Sequence, residues 1–327
     1  MTTNASTAGS TGAGSGTRTT RAIGFSEYGG AEVLRPIDVE LPAPGPGQVR
    51  IAVRTAGVNP VDHKLRAGAM TALFPVTFPA VTGYEAAGVV EAVGEGVTAW
   101  RVGDEVFGLT WGGAHAEHVL AAADKLARKP AGLGWAEAAA IPLAAETSWR
   151  ALALLGVESG QTLLVHGAAG GVGTVLLQFA RSRGIRVVGT ASEANHEHLR
   201  ALGAVPVAYG EGLAERVRAA APEGVDRVLD GAGRGDVLPL SIELAGGAEN
   251  VLTIADFEGA ARYGVRFSGG TEPEEYHREA LAGALALHEA GELRLPLHRV
   301  FPLAETAEAH RVSEHGHLRG KIVLAVG

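Results

Sequence analysis

The spacing of apolar and polar residues changes character about halfway along the chain. Up to residue 143 the apolar stretches are short, and glycine-rich turns separate them. Residues 48–54 alternate apolar and polar side chains, residues 87–93 form another strand-like run, and residues 103–108 resemble a turn that leads into a strand. Short runs bounded by turns are typical of β-strands. The sequence therefore predicts a mostly β region over residues 21–143.

Beyond residue 143, strand patterns alternate with helix patterns. The clearest helix has apolar residues at i, i+3, i+4 and i+7 from Val172 to Phe179, which is the spacing of one helix face. The predicted strands are residues 162–165, 186–189, 205–208, 225–229 and 250–254, and further helices are predicted around residues 199–202, 213–221 and 274–290. Such alternation predicts a doubly wound parallel sheet. The final segment returns to strand, helix and strand, ends with residues 321–326, and is expected to pack onto the first region.

Composition limits the class of protein. The length of 327 residues favours two domains, and the net charge of −8 argues against a nucleic-acid partner. The absence of cysteine excludes disulfides, thiolate metal ligands and a cysteine nucleophile. Residues 1–20 are mostly Ser, Thr, Gly and Ala and predict a disordered tail rather than a signal peptide. Because there is also no apolar run long enough to span a bilayer, we expect a cytoplasmic protein.

The most informative stretch is His166-Gly167-Ala168-Ala169-Gly170-Gly171-Val172-Gly173, which follows a predicted strand and opens a predicted helix. It is the dinucleotide-binding pattern G-x-G-x-x-G with Ala168 in the first place. A pyrophosphate needs bare backbone N–H groups at a helix N-terminus, where the helix dipole also favours an anion. Gly170 lets the backbone approach the ligand, and Gly173 lets helix and strand pack closely. The residues predicted to hold the pyrophosphate are Ala169, Gly170, Gly171 and Val172.

The choice between NADH and NADPH depends on the end of the next strand. An NAD site usually places an acid about 20 residues after the turn, where it accepts hydrogen bonds from the ribose 2′-hydroxyl. No acid ends the strand here, and Ser192 and Asn195 instead offer a hydroxyl and an amide to a 2′-phosphate. His196 or Arg200 could supply positive charge. Glu193 could hold a free 2′-hydroxyl, but the pattern as a whole favours NADPH.

Several ordered motifs resemble those of one enzyme family. They are Gly57-Val58-Asn59-Pro60-Val61-Asp62, Gly83-Tyr84-Glu85-Ala86-Ala87-Gly88-Val89-Val90 with Val93-Gly94, Gly103-Asp104-Glu105-Val106, the turn of residues 168–173, and Gly320-Lys321-Ile322-Val323-Leu324. From residue 21 onward the chain resembles the medium-chain dehydrogenase/reductase superfamily, and within it the zinc-free quinone oxidoreductase branch. The resemblance implies an α/β protein with a GroES-like catalytic domain (residues 21–143 and 292–327) and a Rossmann domain (residues 144–291). It also implies a homodimer joined through the Rossmann sheets.

The resemblance implies a set of active-site residues as well. Asn59 and Asp62 match positions beside the nicotinamide, and Thr147 matches a threonine near the same half of the cofactor. Lys321 matches a lysine of the closing strand near the cofactor cleft. Many members carry Tyr two residues after the Asp, whereas this chain has Lys64, which could stabilise a developing oxyanion.

Two of these residues also have purely structural interpretations. Asp62 could hold Arg66 across one helical turn. Asn59, which precedes Pro60, could be only a turn residue. The predicted catalytic residues are Asn59, Asp62 and Lys64, and Asn59 is predicted to contact the cofactor together with Thr147 and Lys321.

No zinc site is expected. Related alcohol dehydrogenases bind catalytic zinc through Cys, His and often a neighbouring Glu, but this chain has no cysteine and carries Gly83-Tyr84-Glu85 where Gly-His-Glu is usual. The pairs His196/His198 and His315/His317 are two positions apart, so on a helix they do not share a face. We expect these histidines to lie on the solvated surface.

Without a metal ion, a conjugated carbonyl compound is the easiest acceptor for such a site. Hydride delivered to a quinone or an enone gives a delocalised phenolate or enolate, which hydrogen-bond donors can stabilise. Tyr84, Trp111 and Phe257 are candidate walls of the substrate pocket. Two alternatives stay open: an enoyl-thioester reductase that acts on a CoA or carrier-protein substrate, and a non-catalytic sensor that binds NADPH.

Overall fold

The computed structural model describes residues 16–110, 112–234, 237–270 and 275–327. Residues 1–15 of the predicted tail and the pocket candidate Trp111 lie outside the described residues. The first strand begins at Arg18, so the prediction of a tail that extends to residue 20 is wrong at its end. Thr20 is buried in this strand, and its Oγ1 lies 3.1 Å from Nδ1 of His118. These contacts explain why the strand starts before residue 21.

The strands predicted in the β-rich region are confirmed, and short helices lie between them. In chain order the elements are β1 (Arg18–Phe25), β2 (Arg35–Leu41), β3 (Gln48–Val58), α1 (Pro60–Arg66), β4 (Ala80–Val81), β5 (Glu85–Val93), β6 (Glu105–Leu109), β7 (His118–Ala122), β8 (Leu126–Arg128), α2 (Trp135–Ala140) and α3 (Pro142–Leu155). The run at residues 48–54 belongs to β3 and the run at residues 87–93 to β5.

The α/β region also follows the predicted alternation. Its elements, with those of the final segment, are β9 (Thr162–His166), α4 (Gly171–Ser182), β10 (Arg186–Ala191), α5 (His196–Ala201), β11 (Val205–Ala208), α6 (Leu213–Ala220), β12 (Arg227–Asp230), α7 (Val237–Ala245), β13 (Val251–Thr253), α8 (Phe257–Tyr263), β14 (Arg266–Phe267), α9 (Glu275–Glu289), β15 (Leu297–Pro302), α10 (Thr306–His315) and β16 (Lys321–Ala325). Of the elements named in this paragraph, α7, α8 and β14 were not predicted. None of the helices in the described part of the chain is long and apolar enough to cross a membrane.

The α/β region folds into one parallel sheet. Its strand order is β11-β10-β9-β12-β13-β14, and each neighbouring pair is parallel. The chain therefore starts at β9 in the middle, builds outward to one edge, and returns to build the other side. This confirms the predicted doubly wound fold. In such sheets ligands bind at the carboxyl ends of the strands where the order reverses, which here is the end of β9.

The sheet has an apolar core on each face. Leu163 and Val165 of β9 face one core together with residues of α3 and α4, whereas Leu164 faces the other core with Val188 and Val228 of the neighbouring strands. Both faces are covered, so the strands are almost continuously apolar. This is why residues 162–165 could be recognised as a buried strand.

The final segment of the chain pairs with the β-rich region and also contacts the start of α4 in the α/β region. Strand β16 pairs antiparallel with β3, in the order β15-β16-β3-β5-β6-β8, and β7 pairs with β3 as well. The predicted packing of the last segment onto the first region is therefore confirmed. Just before β16, Gly320 forms an isolated bridge with Gly170, at the start of α4. The two units therefore meet at the phosphate-binding turn, and we call this junction between them the cleft.

Candidate active site

The phosphate-binding turn connects β9 to α4. Gly170 is the N-cap of α4, and Gly167 has the left-handed φ of +74° that favours glycine. The Gly170 N–H donates to Gly167 O at 3.1 Å, and the Gly320 N–H donates to Ala169 O at 3.0 Å. Gly320 of the final segment therefore holds the turn from one side, and the first N–H groups of α4 remain available to an anion.

The glycines of the turn have different tasks. A Cβ added to Gly170 would meet nothing closer than a carbonyl oxygen at 3.4 Å, so the space in front of this residue is open to a ligand. A Cβ at Gly173 would lie 2.6 Å from Ala168 Cα, so glycine is needed there for the close packing of α4 on β9. At Gly171 a Cβ would lie 2.5 Å from Cδ of Lys321. The geometry at Gly170 and Gly173 agrees with the tasks expected from the motif.

The end of β10 carries the predicted ribose-binding residues. Asn195 Nδ2 donates to Ser192 Oγ at 3.1 Å, so the two side chains lie together. Arg319, which lies just before β16, donates through Nε to Asn195 Oδ1 at 2.7 Å and through Nη2 to Ala194 O at 2.9 Å. A guanidinium beside a hydroxyl and an amide is a suitable set of donors for a phosphate group. We call this part of the cleft the adenine end.

The positive charge at the adenine end comes from a residue that sequence reasoning missed. Arg200, a predicted charge partner, forms an exposed ion pair with Glu197. The Nε2 atom of His196, the other candidate, is buried without a hydrogen-bond partner among the described residues. Arg319 takes this place instead, and its only signal in the sequence is its position two residues before Lys321.

Three buried polar side chains meet at a second part of the cleft, which we call the reaction end. Glu85 is 0% exposed, Lys321 5% and Asn59 7%. Lys321 Nζ donates to Glu85 Oε1 at 2.5 Å and also to Asn59 Oδ1, and Asn59 Nδ2 donates to Glu85 Oε1 at 2.8 Å. The Leu143 N–H donates to Glu85 Oε2 at 2.7 Å. The structure thus brings the predicted Asn59 and Lys321 together through Glu85, to which the sequence analysis gave no function.

Asp62 holds the loop that carries Asn59. Its Oδ2 accepts the Asn59 N–H at 2.7 Å, and its Oδ1 accepts the Gly83 N–H at 2.9 Å. Burial raises the pKa of Asp62, while these two hydrogen bonds lower it. Both carboxylate oxygens therefore accept backbone N–H groups, and Asp62 itself lies in the first turn of α1, where the helix dipole also favours a negative charge.

The two structural interpretations of this segment do not hold. Arg66 pairs with Glu314 of α10 and places Nη1 3.3 Å from Nδ1 of His310, rather than bonding to Asp62. The prediction of an Asp62–Arg66 contact is therefore wrong. Asn59 is more than a turn residue as well, because its amide binds two charged side chains.

Lys64 crosses the cleft from α1 to the Rossmann domain. Its Nζ donates to the carbonyl oxygen of Ala255, just beyond β13, at 3.0 Å. Burial lowers the pKa of Lys64, and the carboxylates of Asp230 and Asp256 act in the opposite direction. A lowered pKa makes the ammonium a stronger acid. Lys64 is therefore a hydrogen-bond donor to the Rossmann domain whose acidity is increased by burial.

The pocket candidates lie in different surroundings. Tyr84 is half-buried, and burial, reinforced by the charge of Asp62, raises its pKa, so the hydroxyl keeps its proton and stays a donor. Phe257 begins α8, is 45% exposed, and packs edge-on against Phe267 with ring centroids 5.2 Å apart. Trp111 cannot be placed in the cleft because it lies outside the described residues.

Thr147 lies in α3 within a buried polar network. Its Oγ1 donates to Glu146 Oε2 at 3.3 Å and accepts from Arg150 Nη2 at 3.4 Å. Arg150 Nε also bonds Glu146 Oε1 at 2.7 Å. The network fixes the side chain of Thr147, and its contact with the cofactor stays a prediction.

Comparison with known proteins identifies the family. The alcohol dehydrogenase GroES-like domain family matches residues 45–142, and the zinc-binding dehydrogenase family matches residues 202–324. The quinone oxidoreductase of Sus scrofa is 34% identical over 331 residues, which cover 93% of this chain and 97% of the relative. The chain belongs to the quinone oxidoreductase branch of the medium-chain dehydrogenase/reductase superfamily. It is therefore an oxidoreductase with a nicotinamide cofactor.

Two other relatives are similar over most of this chain. The 2-methylene-furan-3-one reductase of Solanum lycopersicum is 32% identical, over 93% of this chain and 78% of the relative. The pikromycin polyketide synthase component PikAII of Streptomyces venezuelae is 37% identical over 89% of this chain, which spans only 8% of that relative.

Solved structures of the superfamily show the same fold. The quinone oxidoreductase from Coxiella burnetii has a TM-score of 0.81 at 30% identity, covering 95% of this chain and 100% of that one. Mycobacterial Rv1454c complexed with NADPH has a TM-score of 0.79 at 30% identity, covering 94% and 100%. The expected combination of a GroES-like domain with a Rossmann domain is therefore confirmed.

Some members of the superfamily bind zinc, but the donors in this chain do not suit it. There is no cysteine, and Tyr84 stands where the usual motif has histidine. The carboxylate of Glu85 is already neutralised by the ammonium of Lys321. Within the described ranges, no group of three or more His, Asp or Glu side chains could hold a metal ion. The residues present at this position therefore do not fit a zinc ion.

Proposed function

We propose that this protein is a zinc-independent, NADPH-dependent reductase of a quinone or another α,β-unsaturated carbonyl compound. The observation that carries the proposal is the buried Glu85–Lys321 ion pair beside Tyr84. A phenol and a neutralised carboxylate occupy the positions that would otherwise supply metal ligands. An acceptor whose charge is delocalised after hydride transfer needs hydrogen-bond donors rather than a Lewis acid.

The preference for NADPH is supported by the adenine end of the cleft. The first N–H groups of α4, at Gly171 and Val172, are suited to the pyrophosphate. The guanidinium of Arg319, with Ser192 and Asn195, is suited to the 2′-phosphate. NADH has no 2′-phosphate and would make no ion pair with this guanidinium. The NADPH bound to the mycobacterial relative is consistent with this assignment.

At the reaction end, the residues of this chain hold the reactants and manage the proton. Bound NADPH supplies the hydride. Asn59 and Lys321 are proposed to orient the nicotinamide half, and Asp62 keeps the Asn59 loop in place. Tyr84 is proposed to donate a hydrogen bond to the substrate oxygen as charge develops there, and Lys64 to give the proton that completes the reduction.

A thioester of an unsaturated acid is a second candidate substrate. The hydride would be delivered to the β-carbon in the same way, and the developing oxyanion would need the same donors. The similarity to PikAII is the observation that makes this alternative worth testing. A third possibility, a sensor that binds NADPH without turnover, is separated from both by measuring catalysis rather than binding.

The decisive experiment follows the loss of NADPH absorbance with purified protein that has been treated with a chelator. The acceptors are a short-chain quinone, a cyclic enone and a crotonyl-type CoA thioester, each tested with NADPH and with NADH. We expect turnover of the quinone or the enone, with a higher kcat/KM for NADPH than for NADH, and no change when zinc is restored.

The other outcomes are informative. Turnover of the thioester alone would replace the proposed substrate class with the second candidate. NADPH binding without turnover of any acceptor would contradict the proposed reductase activity and favour the sensor. Activity that returns only after zinc is added would contradict zinc independence.

We also propose that the protein is a cytoplasmic homodimer. In the described part of the chain, the parallel sheet ends at β11 and β14, whose outer edges are not paired. An open edge can pair with the same edge of a second copy about a twofold axis. Light scattering of the purified protein should give twice the mass of 33.5 kDa. A monomer at micromolar concentration would contradict the proposal.

A further inference from the structure

A buried histidine lies behind the reaction end and is not explained by the proposed chemistry. His115 is 0% exposed and lies between β6 and β7. Its Nε2 is 3.1 Å from the carbonyl oxygen of Gly57, and its Nδ1 is 2.9 Å from Oγ1 of Thr82. A carbonyl oxygen can only accept, so Nε2 carries the proton, and in the neutral imidazole Nδ1 accepts from the Thr82 hydroxyl.

The two groups bonded by this imidazole belong to the segments that build the reaction end. Gly57 lies two residues before Asn59, at the end of β3. Thr82 lies three residues before Glu85, at the start of β5. One side chain therefore ties together the backbone segments that carry the two partners of Lys321.

A second, indirect connection runs through Gly83. This residue has a left-handed φ of +97°, and a Cβ added to it would lie 2.6 Å from Cδ2 of His115, so the ring packs directly on its backbone. The Gly83 N–H donates to Asp62 Oδ1, and Asp62 Oδ2 accepts the Asn59 N–H. The loop of Asn59 is thus held at both sides by groups that touch His115.

We propose that His115 is a positioning residue, which sets the register between the Asn59 loop and the Glu85 strand and so aligns the reaction end for hydride transfer. The proposal rests on the proposed reductase function. Without the imidazole, the Gly57 carbonyl and the Thr82 hydroxyl would lose their partners, and both segments could shift. A displacement of about 1 Å at a reacting centre can reduce the rate by about a hundredfold.

The variants are chosen to separate alignment from folding. His115→Phe keeps a planar ring and removes both hydrogen bonds, whereas His115→Gln keeps a donor and an acceptor. Thr82→Val removes only the hydroxyl at nearly constant volume. The matched control is His118→Gln, three positions along the chain, since His118 contacts Thr20 and lies outside the reaction end.

We expect His115→Phe to lower kcat by about ten- to a hundredfold while the KM for NADPH stays unchanged. His115→Gln should recover most of the lost kcat, Thr82→Val should lie between, and His118→Gln should match the wild type. An unchanged kcat in His115→Phe would overturn the proposal. The proposal would also be overturned if His115→Phe lost kcat, NADPH affinity and thermal stability to the same extent and His115→Gln did not restore them. Such a result would mean that His115 has a purely structural function.

A second readout does not depend on turnover. Amide hydrogen exchange of peptides covering residues 57–62 and 82–85 should become faster in His115→Phe, stay close to wild type in His115→Gln, and be unaffected in His118→Gln. If the wild type reduces no acceptor, the reductase function fails, but this exchange pattern still decides whether His115 holds the two segments. Unchanged exchange in His115→Phe would reject the positioning.

Discussion

Arg319 and Lys321 stand two positions apart on the same segment, yet Arg319 bonds the adenine end, Lys321 bonds the reaction end, and their exposure to solvent differs. Arg319 is exposed and bonds the amide and backbone of the Rossmann domain at Asn195 and Ala194. Lys321 is 5% exposed and forms its ion pair with Glu85, which is 0% exposed. Replacing an exposed cation changes the free energy of unfolding very little. Replacing a buried cation leaves the charge of its partner buried and uncompensated, which destabilises the fold.

This difference suggests that the choice of cofactor and the stability of the fold depend on different parts of the cleft. The adenine end is proposed to recognise the cofactor with groups that water also reaches, so we expect that the choice of cofactor can change while the fold stays intact. The reaction end uses side chains that also hold β3, β5 and β16 together. We therefore expect substitutions at the reaction end to affect stability and catalysis together.

The largest effect should come from Lys321→Met, which removes the ammonium and keeps most of the apolar stem. Glu85 would be left buried with only the donors of Asn59 and Leu143. Breaking one partner of a buried pair typically costs about 3–5 kcal/mol. We expect that loss in the free energy of unfolding measured by urea denaturation, together with a loss of turnover.

Two further variants sharpen this test. Adding Glu85→Gln to Lys321→Met should restore part of the stability, because the uncompensated charge is removed, but not the turnover. Arg311→Met breaks the exposed pair with Glu308 and should cost less than about 1 kcal/mol. A Lys321→Met protein as stable as the wild type would mean that the buried ion pair does not couple the reaction end to the fold.

The next effect should come from Arg319→Ala at the adenine end. One charge-assisted contact to the 2′-phosphate would be lost, so the Kd for NADPH should rise by about tenfold or more. The Kd for NADH and the free energy of unfolding should stay close to wild type, because the side chain is exposed. Binding can be followed by the fluorescence of the reduced cofactor at low ionic strength, where surface charges are least screened.

Arg200→Ala decides between the sequence-based candidate and the structural one. Arg200 is paired with Glu197, so we expect this variant to bind NADPH normally. A larger loss in Arg200→Ala than in Arg319→Ala would place the phosphate on the other side of Asn195. An equal loss of NADPH and NADH affinity in Arg319→Ala would show that Arg319 does not discriminate between the two cofactors.

The features that could be predicted from the sequence are those that depend on local contacts. The phosphate-binding turn was predicted because the strand, the glycines and the helix are consecutive, and their contacts are local. The two residues of β14 and the seven of α8 are too few to show a period, and α7 is apolar on most sides with a proline inside it. These elements depend on the tertiary packing that surrounds them.

Long-range contacts could be predicted only where the family resemblance gave them. Lys321 bonds Glu85 across 236 positions, and Arg319 bonds Asn195 across 124 positions. Composition and periodicity do not specify which residues the returning C-terminal strand brings together. The position of Lys321 matches the family, whereas Glu85 and Arg319 gave no such signal, although Glu85 follows Tyr84 and Arg319 is two positions from Lys321.

The last prediction concerns the pH dependence of the free energy of unfolding. Burial lowers the pKa of His63 to about 4, although the charge of Glu314 opposes this shift. The unfolded chain takes up the proton near the ordinary pKa of about 6.5. Because the folded protein resists protonation down to about 4, the stability is complete above about pH 6.5 and falls as the pH drops toward 4.

His63→Gln tests this directly, because glutamine does not titrate. Between about pH 6.5 and 4.5 the wild type should lose about 1–2 kcal/mol more of its free energy of unfolding than the variant, a value below the full shift because His63 is only half-buried. His310, whose pKa burial also lowers, should supply part of the slope that remains. The measurement is urea denaturation at closely spaced pH values, with His298→Gln on the exposed face of β15 as the control. Equal pH slopes for His63→Gln and the wild type would contradict the assignment. A wild-type slope in Arg319→Ala would show that Arg319 does not contribute to the pH dependence.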